Sequence, residues 1–236
     1  MKKAFAWLAL SLIATAVHAN DAEVDFRFFD SAKEKGEKFV AALPKQSVVS
    51  RLVLKGKPID FGGEWRVLRS DYMVDQVMES GGPTSTRDSV TGYLILERSQ
   101  ADADPEFMQL EIALDGRVMY EYLNINPTYC VPSSNYVFQR VDESRKERMA
   151  CLATSKQVVP QPGTEASERK LFGLRASVYK GKVFPVGSAF YEQELMEARN
   201  ASYVYAYRVR MVKDGALEDM NQRGLKLRDS VRENFF

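Results

Sequence analysis

The chain has 236 residues, with 33 Lys+Arg against 32 Asp+Glu, one His and two Cys. At 45% hydrophobic and 28% charged it has a globular composition, which excludes a disordered or fibrous chain. A net charge of +1 argues against a nucleic-acid binder that works by bulk phosphate neutralisation.

Met1-Lys2-Lys3 is a short basic start, followed by an uncharged and mostly apolar run over 4–17. Val17-His18-Ala19 then sets small or modest side chains before a cut. This is the pattern of a secretory signal peptide removed after Ala19. The apolar run falls short of the roughly 20 residues that a membrane span needs, so no transmembrane span is expected in the mature chain. No Cys follows the cut, so a lipid anchor is not indicated. The Lys-Lys start and the Ala-rich stretch fit a bacterial leader and place the mature protein in the periplasm. Residues 20–236 are then expected to form a single exported domain.

Losing Lys2 and Lys3 but no acid takes the net charge from +1 to −1. His18 and Trp7 leave as well, so the mature chain has no His and one Trp, Trp65. Without His there is no Ser-His-Asp triad, no Cys-His pair and no His ligand for zinc. Acid–base chemistry would fall to carboxylates, Lys or Tyr.

In chain order, Ser31 to Glu34 form a capping box, and Ala32, Phe39, Val40 and Leu43 share a helical stripe that Pro44 ends. The helix predicted over 31–43 carries Gly36, which weakens it by up to ~1 kcal/mol. The period then changes to two. A strand is expected over 48–54, a turn over 55–58, and an extended segment over 64–79 that bends near Ser70-Asp71. Turn residues fill 80–85, and a strand returns over 90–98. Asp115-Gly116 between the alternating runs 107–114 and 117–125 is a strong hairpin signal. That register pairs Ile112 with Met119 and Met108 with Leu123. Glu121, opposite Leu110, is the misfit and marks a sheet rim or a polar contact in a cleft.

Cys130 and Cys151 read as one structural disulfide in an oxidising compartment. The chain-entropy model gives such a loop about 3.4 kcal/mol of stabilisation. Strands over 135–141 and 148–153 flank a polar turn over 142–147. Direct pairing sets Cys151 near Phe138, so the bridge is expected to tie the second strand to the segment entering the first. A loop follows over 156–170, then strands over 171–179 and 183–186, Pro185 marking an edge. Residues 190–199 fit helix or strand, and 202–212 is a clear strand. Asp214-Gly215 is a turn, and Ala216, Met220, Leu227, Val231 and Phe235 recur at helical spacing. Gly224 interrupts that stripe, which suggests two short helices.

About ten strands joined by short turns predict a mainly β (α+β) fold. The expected architecture is a curved antiparallel meander sheet or open barrel, with a short N-terminal helix and a C-terminal helical segment packed on it. A five-residue echo between 76–80 and 194–198 is too short to mark a duplication.

Few patterns carry chemistry. Ser167 and Lys170 fit S-x-x-K, but the Lys-Thr-Gly and Ser-Asp-Asn partners are missing. Glu111 and Glu121 lie in apolar runs, yet the hairpin register points them to opposite faces, against a glycosidase-like pair. Asp102, Asp104 and Glu106 form an acidic run without the glycine and distal Glu of a calcium loop. No phosphate-cradling motif occurs, and no cofactor or metal site is expected. Arg66, Arg69, Arg208 and Arg210 read as scattered solvated arginines, or else as a small anion-binding face. The aromatic pattern says more. Tyr203, Tyr205 and Tyr207 share one strand face, and Tyr120 and Tyr122 share another. Tyrosines give apolar area and keep a hydroxyl that seeks a partner, so they fill a core rim or line a ligand cleft. The expected function is an exported, non-enzymatic partner-binding or envelope-accessory protein. The alternatives are a carrier of an apolar or lipid-like ligand in a Tyr/Met-lined cleft, and a His-free hydrolase using carboxylates or Ser-Lys.

Overall fold

The computed structural model describes residues 20–27, 29–78, 86–98, 105–115, 130–145, 148–199 and 202–234. The expected leader and cut site lie outside these, as do Asp102, Asp104 and the segment 117–125 with Tyr120, Glu121 and Tyr122. The elements in order are β1 (Asn20–Val24), α1 (Ala32–Ala42), β2 (Val48–Leu54), β3 (Lys57–Met78), β4 (Thr86–Arg98) and β5 (Glu106–Ala113). There follow β6 (Phe138–Arg145), β7 (Arg148–Val158), α2 (Glu165–Glu168), α3 (Gly173–Tyr179), β8 (Ala189–Arg199), β9 (Ser202–Met211) and α4 (Ala216–Asn234).

Among the described residues the strands form one open nine-stranded sheet in the order β1-β2-β3-β4-β5-β9-β8-β7-β6. β1 runs parallel to β2 and every other pair is antiparallel. Two four-stranded meanders, β2–β5 and β6–β9, thus meet through their last strands. The echoing segments fall on the second strand of one meander and the third of the other, so this arrangement does not relate them.

Alternation decides the two faces. Leu94, Leu96, Met108, Leu110, Ile112, Val204 and Ala206 point to the main core with Trp65. Phe39 of α1, Leu43 at its C-terminal cap, and Leu227 and Val231 of α4 close that core from above. The capping box forms as expected: the Glu34 N–H donates to Ser31 Oγ at 3.2 Å, and the Ser31 N–H donates to Glu34 Oε2 at 2.7 Å. Lys55 and Gly56 both take positive φ, 53° and 73°, which gives the β2–β3 hairpin its tight turn.

Several expectations change. The irregularity in β3 lies between Val67 and Arg69 rather than at Ser70-Asp71. The Asp115-Gly116 hairpin does not form on β5, because β4 and β9 occupy both of its edges. Ile112 pairs with Gly92 and Val204, and Met108 with Leu96 and Arg208. Residues 173–179 are helix α3, not strand, and 183–186 is loop. α4 runs through Gly224 unbroken, because a Cβ there would sit 2.4 Å from Gln193 Oε1 on the sheet. β6 runs through the expected polar turn to Arg145, and Cys151 faces Val141 rather than Phe138. The Cys130–Cys151 bridge is present, with Cα atoms 5.3 Å apart, and it ties β7 to the segment entering β6. Among the described residues no helix is long and apolar enough to cross a membrane.

Candidate functional site

The face opposite α1 and α4 carries the tyrosines. Register places Tyr93, Glu111, Tyr205 and Met196 side by side across β4, β5, β9 and β8. The next row is Ile95, Gln109, Tyr207 and Glu194, and the third is Glu97, Phe107, Val209 and Glu192. α3 covers one end of these rows, with Leu174 and Val178 packed beside Tyr207 and Val209. Helices therefore lie on both faces of the sheet.

Arg175 of α3 anchors that end. Its Nε meets Glu192 Oε1 at 2.9 Å and its Nη2 meets Glu194 Oε1 at 2.5 Å. Its guanidinium lies 4.4 Å from the Tyr207 ring centroid, a cation–π contact. Tyr179 donates its hydroxyl to Glu192 at 3.3 Å, and Tyr205 donates to Glu194 at 3.1 Å. Burial opposes the charge on Arg175, but the two carboxylates outweigh this and hold it firmly protonated. Burial pushes Glu194 up despite Arg175 beside it.

A groove of about 370 Å³ opens next to this cluster. β3 lines it with Arg69, Asp71, Tyr72 and Met73, β4 with Tyr93 and Ile95, and β5 with Gln109 and Glu111. Phe172 and Gly173, at the start of α3, form the opposite wall. Gly173 takes φ +58°, and a Cβ there would lie 2.1 Å from Gln109 Oε1, so glycine lets the helix start against β5. Gln109 links wall and floor. Its Oε1 accepts from the Leu174 N–H at 2.7 Å, and its Nε2 donates to Glu111 Oε1 at 2.8 Å. Burial raises the Glu111 carboxyl above its ordinary range, and the Gln109 bond offsets only part of this. Phe172 is 80% exposed and Met73 44% exposed, an open apolar rim above a polar floor. A second cavity, between Arg148, Arg199 and Arg232, measures about 110 Å³. That is below the ~300 Å³ at which small-molecule sites begin.

No protein family and no curated protein matches this chain. Among solved structures it is similar to a proposed regulator from Escherichia coli CFT073, at 11% identity and a TM-score of 0.28. That alignment covers 65% of this chain and 98% of the other. A likeness of this size carries no argument about fold or role.

Tyr203, Tyr205 and Tyr207 do share one face, but they differ in setting. Tyr207 is buried under α3, and Tyr205 is half-buried beside Glu194. The Tyr203 hydroxyl stands 3.5 Å from Thr91 Oγ1, and burial pushes it up to about 12. The groove lies one to two strands away, beside Tyr93 and Glu111. Tyr120 and Tyr122 lie outside the described residues. Arg208 and Arg210 are not a solvated anion-binding face. Arg208 is buried against Glu106 at 2.5 Å, and Arg210 pairs with Asp219. Glu106 also meets Arg223 at 2.5 Å and Arg98 at 3.4 Å, so it serves a buried ion-pair cluster rather than a calcium loop. Arg66 and Arg69 pair at the surface with Glu97 and Asp71. Ser167 donates its hydroxyl to the Thr164 carbonyl at 2.8 Å on the short surface helix α2. Sequence reasoning missed Tyr93, Gln109, Arg175, Glu192 and Glu194. The alternation Glu192–Glu194 in an apolar strand was the available signal. Phe172 had none once 171–179 read as strand.

Proposed function

We propose that this chain is an exported, non-enzymatic binding protein of the cell envelope, freed of its leader by cleavage after Ala19. Its ligand is a small, largely apolar molecule seated in the groove between β3–β5 and Phe172. One observation carries this reading: an aromatic ring exposed over four-fifths of its area overhangs a groove with a half-buried polar floor. Exposing a phenyl ring to water is unfavourable by about 2 kcal/mol, and a ligand covering it recovers that energy. The groove volume also falls in the ~300–1,000 Å³ range of small-molecule sites. The disulfide supports an oxidising compartment. Ser167 turns its hydroxyl to a backbone carbonyl, which gives the Ser-Lys hydrolase reading no support.

The test is intact mass spectrometry of the protein purified from its native envelope, first non-denaturing and then denaturing. A bound small molecule lost on denaturation is the expected result. The denatured mass should match cleavage after Ala19, less two hydrogens for the bridge. A bare chain that also takes up no apolar fluorophore would refute ligand binding. An uncut leader would refute the export reading.

A further inference from the structure

We infer that the groove selects an amphipathic cation: an alkylammonium-type head held at Glu111 beside Tyr93 and Phe172, with its tail along Met73. This rests on the binding role proposed above and names the ligand class. Glu111 is the one carboxylate in the groove with no cation beside it among the described residues. Its hydrogen-bond partner is the neutral amide of Gln109, at 2.8 Å. Its neighbours on the adjoining strands are Tyr93 and Tyr205, both uncharged. The arginine that lines the groove and the arginine of α3 are both taken. Arg69 pairs with Asp71 at 2.6 Å, and Arg175 is divided between Glu192 and Glu194.

The charge around the groove is correspondingly one-sided. The lining itself sets Asp71 and Glu111 against Arg69 alone, and the neighbouring cluster under α3 sets Glu192 and Glu194 against Arg175. An anionic head would meet that excess, whereas a cationic head would relieve it. A half-buried carboxylate gains most from a partner that is both charged and desolvated. Aromatic rings add to this, because their faces attract cations, most strongly where water is excluded. Tyr93 and Phe172 supply such rings from opposite walls. Register sets Met73 one row past Asp71 and Tyr93, where it offers only apolar surface, and Ile95 one row before them, on the head's other side. The chemistry fits the ammonium head of a lipid and a free alkylamine alike.

The experiment compares three probes with the same eight-carbon tail on the mature, bridged chain: octyltrimethylammonium, octanol and octyl sulfate. Calorimetric titration should show the ammonium binding about tenfold tighter than octanol, with the sulfate weakest. Glu111→Gln should bring the ammonium-to-octanol ratio close to one. Phe172→Leu keeps an apolar wall but removes a ring. Because Phe172 is so exposed, this variant folds without core loss and should lower the ratio about threefold. Octanol binding without preference for the ammonium overturns this inference and leaves the binding role standing. Failure of all three probes overturns both. Competition by tetramethylammonium supports a free cation as ligand. Co-sedimentation with phosphatidylcholine vesicles, abolished by Glu111→Gln, supports a lipid head.

Discussion

Two glutamates on one strand show how burial and partnership separate. Glu106 is fully buried and accepts from Arg208 and Arg223, both at 2.5 Å. Removing its charge leaves Arg208 buried without a carboxylate and Arg223 with Asp219 alone, so Glu106→Gln should cost about 3–5 kcal/mol in urea unfolding. Glu111, five residues on, has only an amide for a partner. A raised carboxyl gives stability that is complete below its unfolded value near 4.5 and is lost as pH rises through the folded one. Glu111→Gln should therefore leave the neutral-pH midpoint unchanged or higher, and flatten the fall in stability as pH rises above about 4.5. A large loss with Glu111→Gln would show that an internal cation holds the carboxylate. Asp219 behaves in the opposite way. Burial acts to raise it, but hydrogen bonds from Arg210 and Arg223 hold it at about 2. A lowered carboxyl stabilises above its unfolded value of 3.8 and loses that contribution as pH falls towards 2. The side chain is 44% exposed, so solvent screening keeps the effect under ~1 kcal/mol. Acid titration of Asp219→Asn should show a shallower loss between pH 4 and 2.

Elements whose local pattern agrees with their surroundings were legible. The capping box and stripe gave α1, and alternation gave β2 and β9 to within a residue. α3 was not, because its N-terminus has no side-chain cap of its own. The Leu174 N–H is satisfied by Gln109, which is 65 positions away in sequence. Asp115-Gly116 failed for a related reason: a local hairpin signal yields when both edges of its strand are claimed elsewhere. Arg208 was half legible. It alternates with Val204 and Ala206 on a core-facing row, but its partner Glu106 is 102 positions distant. Glycines were misread as weakness. Gly36 looks like a flaw in α1, yet a Cβ there would lie 2.1 Å from the Tyr72 ring. In an open helix Gly→Ala gains up to ~1 kcal/mol. Here Gly36→Ala should instead destabilise by about 1–3 kcal/mol, as overpacking does. Thermal melts of Gly36→Ala with and without Tyr72→Ala test this. The alanine should become favourable once the ring is gone, and an unchanged penalty would place its cause elsewhere.

At the scale of the whole molecule, the junction of the two meanders is the least local feature and the one a sequence pattern does not carry. β5 joins β9 across about a hundred residues, and α4 lies over both halves, touching β3 as well as β7, β8 and β9. The buried polar layer follows the same seam. Arg208 of β9 and Arg223 of α4 converge on Glu106, while Gln193 of β8 bonds Thr154 of β7 and Asn221 of α4. Such interlocking predicts one cooperative unit rather than two. The disulfide tests it, because it lies in the second half while Trp65, the one Trp after residue 19, is buried in the first. Replacing both Cys130 and Cys151 by Ser should cost about 2–4 kcal/mol by releasing the denatured chain. Trp65 fluorescence and far-UV circular dichroism should then shift to lower urea together. If Trp65 kept its midpoint while the dichroism moved, the meanders would be separate folding units. The groove on β3–β5 would then belong to the half that does not carry the bridge. Coincident shifts would mean that a cross-link at the far end of the sheet also steadies the floor on which Glu111 stands.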